Sequence, residues 1–204
     1  MMSKISNTTL SRKKIEDALF CICEGEPKLK EKLLLSDLVQ AKVAFLAINN
    51  LVTKELTKLF IKKLFAWGKI DEMQKCIALE QVELTNVNAN GYDFVMESPK
   101  IIAEVKGNIP IKANRYGAQQ KQGVIKDING LRYGKTKAKQ LPDEYTKFLI
   151  MLDTPEANVR EAVESLMKKM TDIKFVKDAT DFDLRDKHNI HILLITLSDE
   201  IQMM

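Results

Sequence analysis

The 204-residue sequence predicts an α/β protein, with a helical N-terminal lobe over residues 1–69 and a sheet-containing core over 70–204, packed as one compact domain. Three observations predict it. Apolar residues recur at steps of three and four through the first third of the chain, which is the period of one helix face. From residue 82 onward, short runs rich in Val, Ile, Tyr and Phe alternate with turn residues, which is the signature of strands. Two further helical stripes lie between those runs, the arrangement expected of helices packed on a sheet.

The elements follow in order. Ile15, Leu19, Ile22 and Cys23 mark a helix over 9–24, closed by Pro27. Leu34, Leu38, Ala41, Phe45, Ile48, Val52, Leu56, Leu59, Phe60 and Leu64 form one stripe, with Gly68 as its stop. That run is long for a single helix, so a break is expected near Asn49-Asn50. A short helix is expected over 70–81. Strands are expected at Val82 to Val87, Tyr92 to Glu97, Ile101 to Gly107, Lys147 to Asp153 and Ile190 to Leu197. Helices are expected over 116–133, with Val124, Ile125, Ile128 and Leu131 inward, and over 158–170. The predicted order is helices, then β-β-β-α-β-α-β.

Composition excludes several classes. An apolar content of 45% and eight glycines rule out disordered and collagen-like chains. No apolar run approaches 18 uncharged residues, which predicts no transmembrane helix. The first fourteen residues are polar, with no signal core, and the three cysteines Cys21, Cys23 and Cys76 suit small apolar roles in a reducing compartment. A cytoplasmic location with no membrane partner is therefore expected. His188 and His191 lack the neighbours of a zinc site and read as structural. There is no Walker A, G-x-S-x-G or G-x-G-x-x-G pattern, so no nucleotide cofactor is expected.

The net charge of +4 hides an uneven distribution. Between Lys106 and Lys139 stand nine basic residues and one acid, Asp127, giving +8 in 34 residues against −4 in the remaining 170. Such a segment is an electrostatic footprint for a polyanion.

Just before it lies Gly91-Tyr-Asp-Phe-Val-Met-Glu-Ser-Pro-Lys-Ile-Ile-Ala-Glu-Val-Lys-Gly107. Side chains alternate along a strand, so Ile102, Glu104 and Lys106 share one face and Ile101, Ala103 and Val105 the other. Paired as a hairpin about Ser98-Pro99, Asp93 lies opposite Glu104. Paired about Pro99-Lys100, it faces Lys106, with Glu104 diagonal. The second register is expected, because proline suits the first turn position. Either register puts Asp93, Glu104 and Lys106 on one face. Opposed carboxylates repel, and a divalent cation would relieve that. Hard oxygen ligands suit Mg²⁺ or Mn²⁺, and a lysine in reach can orient water or stabilise charge at phosphorus. The Glu-x-Lys tripeptide also occurs at Glu26-Pro-Lys28. What singles out the second occurrence is its strand, its upstream acid and the basic segment after it.

These residues resemble the PD-(D/E)xK nuclease superfamily, of restriction-endonuclease-like fold, over roughly 70–153. Asp93 matches the family's first acid and Glu104-Val105-Lys106 its E-x-K. The resemblance implies a mixed central sheet flanked by helices. It implies Asp93, Glu104 and the Val105 carbonyl as ligands of Mg²⁺ or Mn²⁺, Lys106 as the residue that helps activate water, and a further helix acid, for which Glu80 is preferred. It also implies DNA contacts from the elements after E-x-K, here Lys112, Arg115, Gln119, Gln120 and Lys121. The small size and lack of an ATP motif look most like a type II restriction endonuclease, acting as a homodimer on double-stranded DNA. The competing expectations are a non-catalytic nucleic-acid-binding module, a helical interaction protein, and a repair or junction-resolving nuclease of the same fold.

Overall fold

The computed structural model describes residues 34–84, 91–110, 114–155, 157–168 and 170–196. The helix expected over 9–24, with Cys21 and Cys23, lies outside the described residues. The chain divides into two compact units, Met1–Ala47 and Ile48–Met204.

Helix α1 (Leu35–Ala66) is unbroken at Asn49-Asn50, contrary to expectation. Asparagine is only modestly unfavourable in a helix, and neither proline nor glycine stands there to interrupt it. The helix ends as expected at Gly68, whose φ of +65° is the left-handed conformation glycine tolerates. By length and composition α1 is apolar enough to cross a membrane, which corrects the expectation that no segment is. In the second unit, its residues Leu56, Leu59, Phe60, Ile61 and Leu64 are buried in a protein core.

Helix α2 (Glu72–Leu84) follows. The strand expected at Val82 to Val87 is therefore corrected: Val82 to Leu84 complete this helix, with Val82 on its buried side, and the rest of that stretch lies outside the described residues. Strands β1 (Phe94–Glu97) and β2 (Lys100–Lys106) form an antiparallel hairpin. Helix α3 (Ala118–Tyr133), strand β3 (Thr146–Asp153), helix α4 (Val159–Met167), and strands β4 (Ile173–Val176) and β5 (Ile190–Thr196) complete the fold. Among the described residues the order after α2 is thus β-β-α-β-α-β-β. Strand β4 was not expected. It is four residues long and only partly buried at a sheet edge, so it carries little of the alternation that marks a strand.

The result is a mixed α/β architecture with one five-stranded sheet of order β1-β2-β3-β5-β4. The β1–β2 pair is antiparallel and the other three pairs are parallel. One face, carrying Phe94, Met96, Ile101, Ala103, Val105, Phe148 and Ile150, packs with residues of α1 and α2, including Phe60 and Ala78. The other, carrying Val95, Ile102, Leu149, Met151 and Ile192, packs with Val124, Ile128 and Leu131 of α3 and Val159 and Val163 of α4. Burial on both faces explains the near-continuous apolar run of β3.

The hairpin register corrects the expected one. Phe94 pairs with Ala103, Val95 with Ile102, Met96 with Ile101 and Glu97 with Lys100, so the turn is Ser98-Pro99. Pairing matches apolar with apolar and acid with base. The alternative would have set Val95 against Glu104 and Glu97 against Ile102. The parity is unchanged, and Asp93, one residue before β1, comes opposite Glu104.

Candidate active site

Asp93 is delivered by a tight approach. Gly91 has a φ of +86°, and a β-carbon there would come within 2.8 Å of the Ala138 backbone nitrogen. Tyr92 is buried behind it and donates from its hydroxyl to the Gly130 carbonyl at 3.1 Å, anchoring the segment to α3. Asp93 then turns its carboxylate onto β2, where Oδ2 accepts from the Val105 N–H at 2.8 Å. The Val105 side chain enters the opposite core.

Glu104 and Lys106 share the face of Asp93, as alternation required. Glu104 is almost fully buried, at 1% exposure. Its Oε1 lies 2.6 Å from Lys135 Nζ, and Lys106 Nζ lies 2.6 Å from Asp127 Oδ2. Each contact is a short charge-assisted pair between a partly buried ammonium and a buried carboxylate. The site therefore gathers three carboxyl groups and two ammonium groups in a largely desolvated space.

The electrostatics follow from that crowding. Burial, with the Asp93 and Asp127 carboxylates, pushes Glu104 up to about 8, against the opposing pull of Lys135. Burial likewise raises Asp93, opposed by the Val105 N–H and by Lys106 and Lys135. Burial pushes the Lys106 ammonium down. Asp127 beside it, with Asp93 and Glu104, outweighs that effect and leaves its pKa above the ordinary lysine value.

Asp127 and Lys135 stand outside the expected site residues, though Asp127 carries a signal in the sequence. It is the one acid of the basic segment, and it stands in the inward stripe of α3 between Val124 and Leu131. Lys135 reaches Glu104 because Gly130 leaves room: a β-carbon there would meet Lys135 Cε at 2.9 Å. No linear pattern announces that contact.

Other expected residues fall elsewhere. Glu80 is exposed on α2, whose buried side chains pack on the opposite face of the sheet, so it is no part of this cluster. Lys112 lies outside the described residues. Arg115, Gln119 and Lys121 are exposed around the start of α3. Gln120 is committed to capping that helix: its Oε1 accepts from the Gly117 N–H, and its Nε2 donates to the Ile109 carbonyl. Among the described residues of the basic segment, Lys106 pairs with Asp127, Lys135 with Glu104 and Arg132 with Asp172, so the free positive charge is smaller than the raw count.

Cys76 is exposed on α2 rather than part of the core, which corrects its expected role. His191 is buried against Phe148 and Phe182, with ring centroids 5.4 and 5.6 Å away. Among the described residues, no group of three or more His, Cys, Asp or Glu side chains could hold a metal ion. Any cation at this site would rest on the Asp93 and Glu104 carboxylates, the Val105 carbonyl and water. Mg²⁺ commonly accepts that arrangement. No protein-family model matches the chain, and no curated protein or solved structure is significantly similar to it.

Proposed function

We propose that this chain is a Mg²⁺- or Mn²⁺-dependent endonuclease of the PD-(D/E)xK kind that hydrolyses DNA phosphodiester bonds. The observation that carries the reading is the pairing of Asp93 with Glu104. The half-buried Asp93, just before β1, comes opposite the buried Glu104 of β2 when the hairpin register is continued by one residue, with Lys106 two residues on. Burying opposed acids is costly, and apolar residues would fill that space more favourably. Asp93 and Glu104 would hold the ion, together with the Val105 carbonyl. A bound ion supplies Lewis acidity toward a phosphate oxygen and lowers the pKa of a water it holds. Lys106 stays protonated at neutral pH, so it acts as a charge and hydrogen-bond donor, orienting water or steadying negative charge on phosphate, and not as a proton acceptor. Within this reading, the proposed enzyme is a site-specific type II restriction endonuclease acting as a homodimer on duplex DNA.

A second reading is a non-catalytic nucleic-acid-binding module. It is favoured by the two ion pairs, which already neutralise much of the acidic cluster without a cation.

Incubation of supercoiled plasmid with Mg²⁺, with EDTA, and with Lys106→Ala separates these readings. The nuclease reading expects cutting by the native chain with Mg²⁺ alone, no cutting by Lys106→Ala, and native cutting by Glu80→Gln. Equal cutting by Lys106→Ala removes the mechanism. Plasmid retained but never cut favours the second reading.

A further inference from the structure

A groove of about 580 Å³ opens beside the acidic cluster. Gly91, Lys126, Asn129, Tyr133, Lys135 and Lys137 are among the residues that line it, and among the described residues no acid does. Lys126, Tyr133 and Lys137 are exposed. Three ammonium groups, an amide and an aromatic ring suit a nucleic-acid strand, whose phosphates pair with lysines and whose bases can stack on tyrosine.

Lys135 belongs to both features. It lines the groove, yet its Nζ sits at 2.6 Å on Glu104 Oε1. A cation held by Glu104 and the Lys135 ammonium compete for one carboxylate oxygen. A phosphate in the groove and Glu104 compete for one ammonium. We infer that Lys135 couples the two sites: nucleic-acid phosphate in the groove draws Lys135 away from Glu104, and the freed carboxylate then accepts the divalent cation. Without a polyanion, Lys135 occupies the position of the ion and the site rests closed. Binding of each ligand therefore strengthens the other, as linkage requires.

The inference rests on the nuclease reading, and its test is chosen to separate the two. Mn²⁺ binding is measured without nucleic acid, from the paramagnetic resonance signal of free Mn²⁺. The proteins are the native chain, Lys135→Gln, and Lys135→Met, which keeps the alkyl stem that packs across Gly130. Binding of a duplex oligonucleotide is then measured in EDTA as a function of salt. Compared above pH 8, where Glu104 is ionised in the native chain, both variants are expected to bind Mn²⁺ about tenfold or more tightly than the native chain, since a competing charge is gone; at lower pH the loss of Lys135 also raises Glu104 and masks the gain. Both are expected to bind the duplex more weakly, with a salt dependence lower by about one ion. Unchanged or weaker Mn²⁺ binding by both folded variants overturns the coupling alone. Tighter Mn²⁺ binding with unaltered duplex binding overturns the groove as the seat of the strand. No Mn²⁺ bound by any of the three proteins overturns the nuclease reading and the coupling together.

Discussion

The Lys106 ammonium lies 2.6 Å from the Asp127 carboxylate, and the acid is the more deeply buried partner. This pair ties β2 to α3 across the candidate site. It also sets the charge state of Lys106, because burial alone would push that lysine down. Asp127→Asn keeps the shape and removes the charge. The expected cost is about 1–3 kcal/mol of stability in urea unfolding, since a partly buried ammonium loses its counter-ion. The alkaline limb of the cleavage profile is expected to move to lower pH, as Lys106 loses its proton sooner. A limb that stays in place would show that Asp127 serves packing alone.

On the nuclease reading, Glu104 makes stability and cation binding depend on pH in opposite senses. Its carboxyl stands at about 8 in the folded chain against an ordinary 4.5. Between those values the folded state keeps a proton that the unfolded state has released. This term is fully present below about pH 4.5, declines as pH rises toward 8, and is flat above. Asp93, raised in the same direction, adds to it. The urea midpoint is therefore expected to fall from pH 5 to pH 8, with a shallower fall in Glu104→Gln. A cation needs the deprotonated carboxylate, so Mn²⁺ affinity is expected to rise over the same range, by up to about tenfold per pH unit for one released proton. Isothermal calorimetry at several pH values, in buffers of different ionisation heat, counts that proton directly.

The part of the site readable in the sequence was the part governed by a period of two. Alternation along β2 puts Glu104 and Lys106 on one face, and any hairpin whose loop has an even number of residues brings Asp93 to that face. The register itself depended on which cross-strand pairs matched, and the positional preference of Pro99 pointed the wrong way. Asp127 was legible as a polar residue in the apolar stripe of α3. Lys135 was not, because its reach depends on the missing side chain of Gly130 in three dimensions. Glu80 failed for a topological reason: α2 covers the other face of the sheet, which helical periodicity does not reveal. The expected strand at Val82 failed because Val82 also fits the buried stripe of a helix begun at Glu72, and one valine does not distinguish the two.

Gly91 offers a test of how Asp93 is placed. At φ +86° a side chain is strained, and a β-carbon would press to 2.8 Å on the backbone nitrogen of Ala138. Backbone cannot yield as a flexible side chain would. Gly91→Ala is expected to cost about 1–3 kcal/mol in thermal or urea unfolding. Because Asp93 is two residues on, cation binding should weaken even at temperatures where the variant is fully folded. Native stability in Gly91→Ala would mean that the loop has another conformation available.

His191 is a buried polar group that is poorly satisfied. Among the described residues neither ring nitrogen makes a well-formed hydrogen bond, and the ring packs between Phe148 and Phe182. Burial holds its pKa below the ordinary 6.5, and Lys174 adds to this, while Asp186, 3.8 Å from Nε2, opposes it. As pH falls through 6.5, the unfolded chain takes up a proton that the folded chain refuses, so stability falls toward acid. Replacing an unsatisfied buried group by an apolar one of similar shape is neutral to stabilising. His191→Phe is therefore expected to be as stable as the native chain or about 1 kcal/mol more stable at pH 7.5, and to gain further at pH 5.5, where the histidine penalty is largest. Urea midpoints at the two pH values measure this. A variant that loses stability at both would mean that the imidazole holds a hydrogen-bonded partner, such as a buried water, which the surrounding aromatic packing conceals.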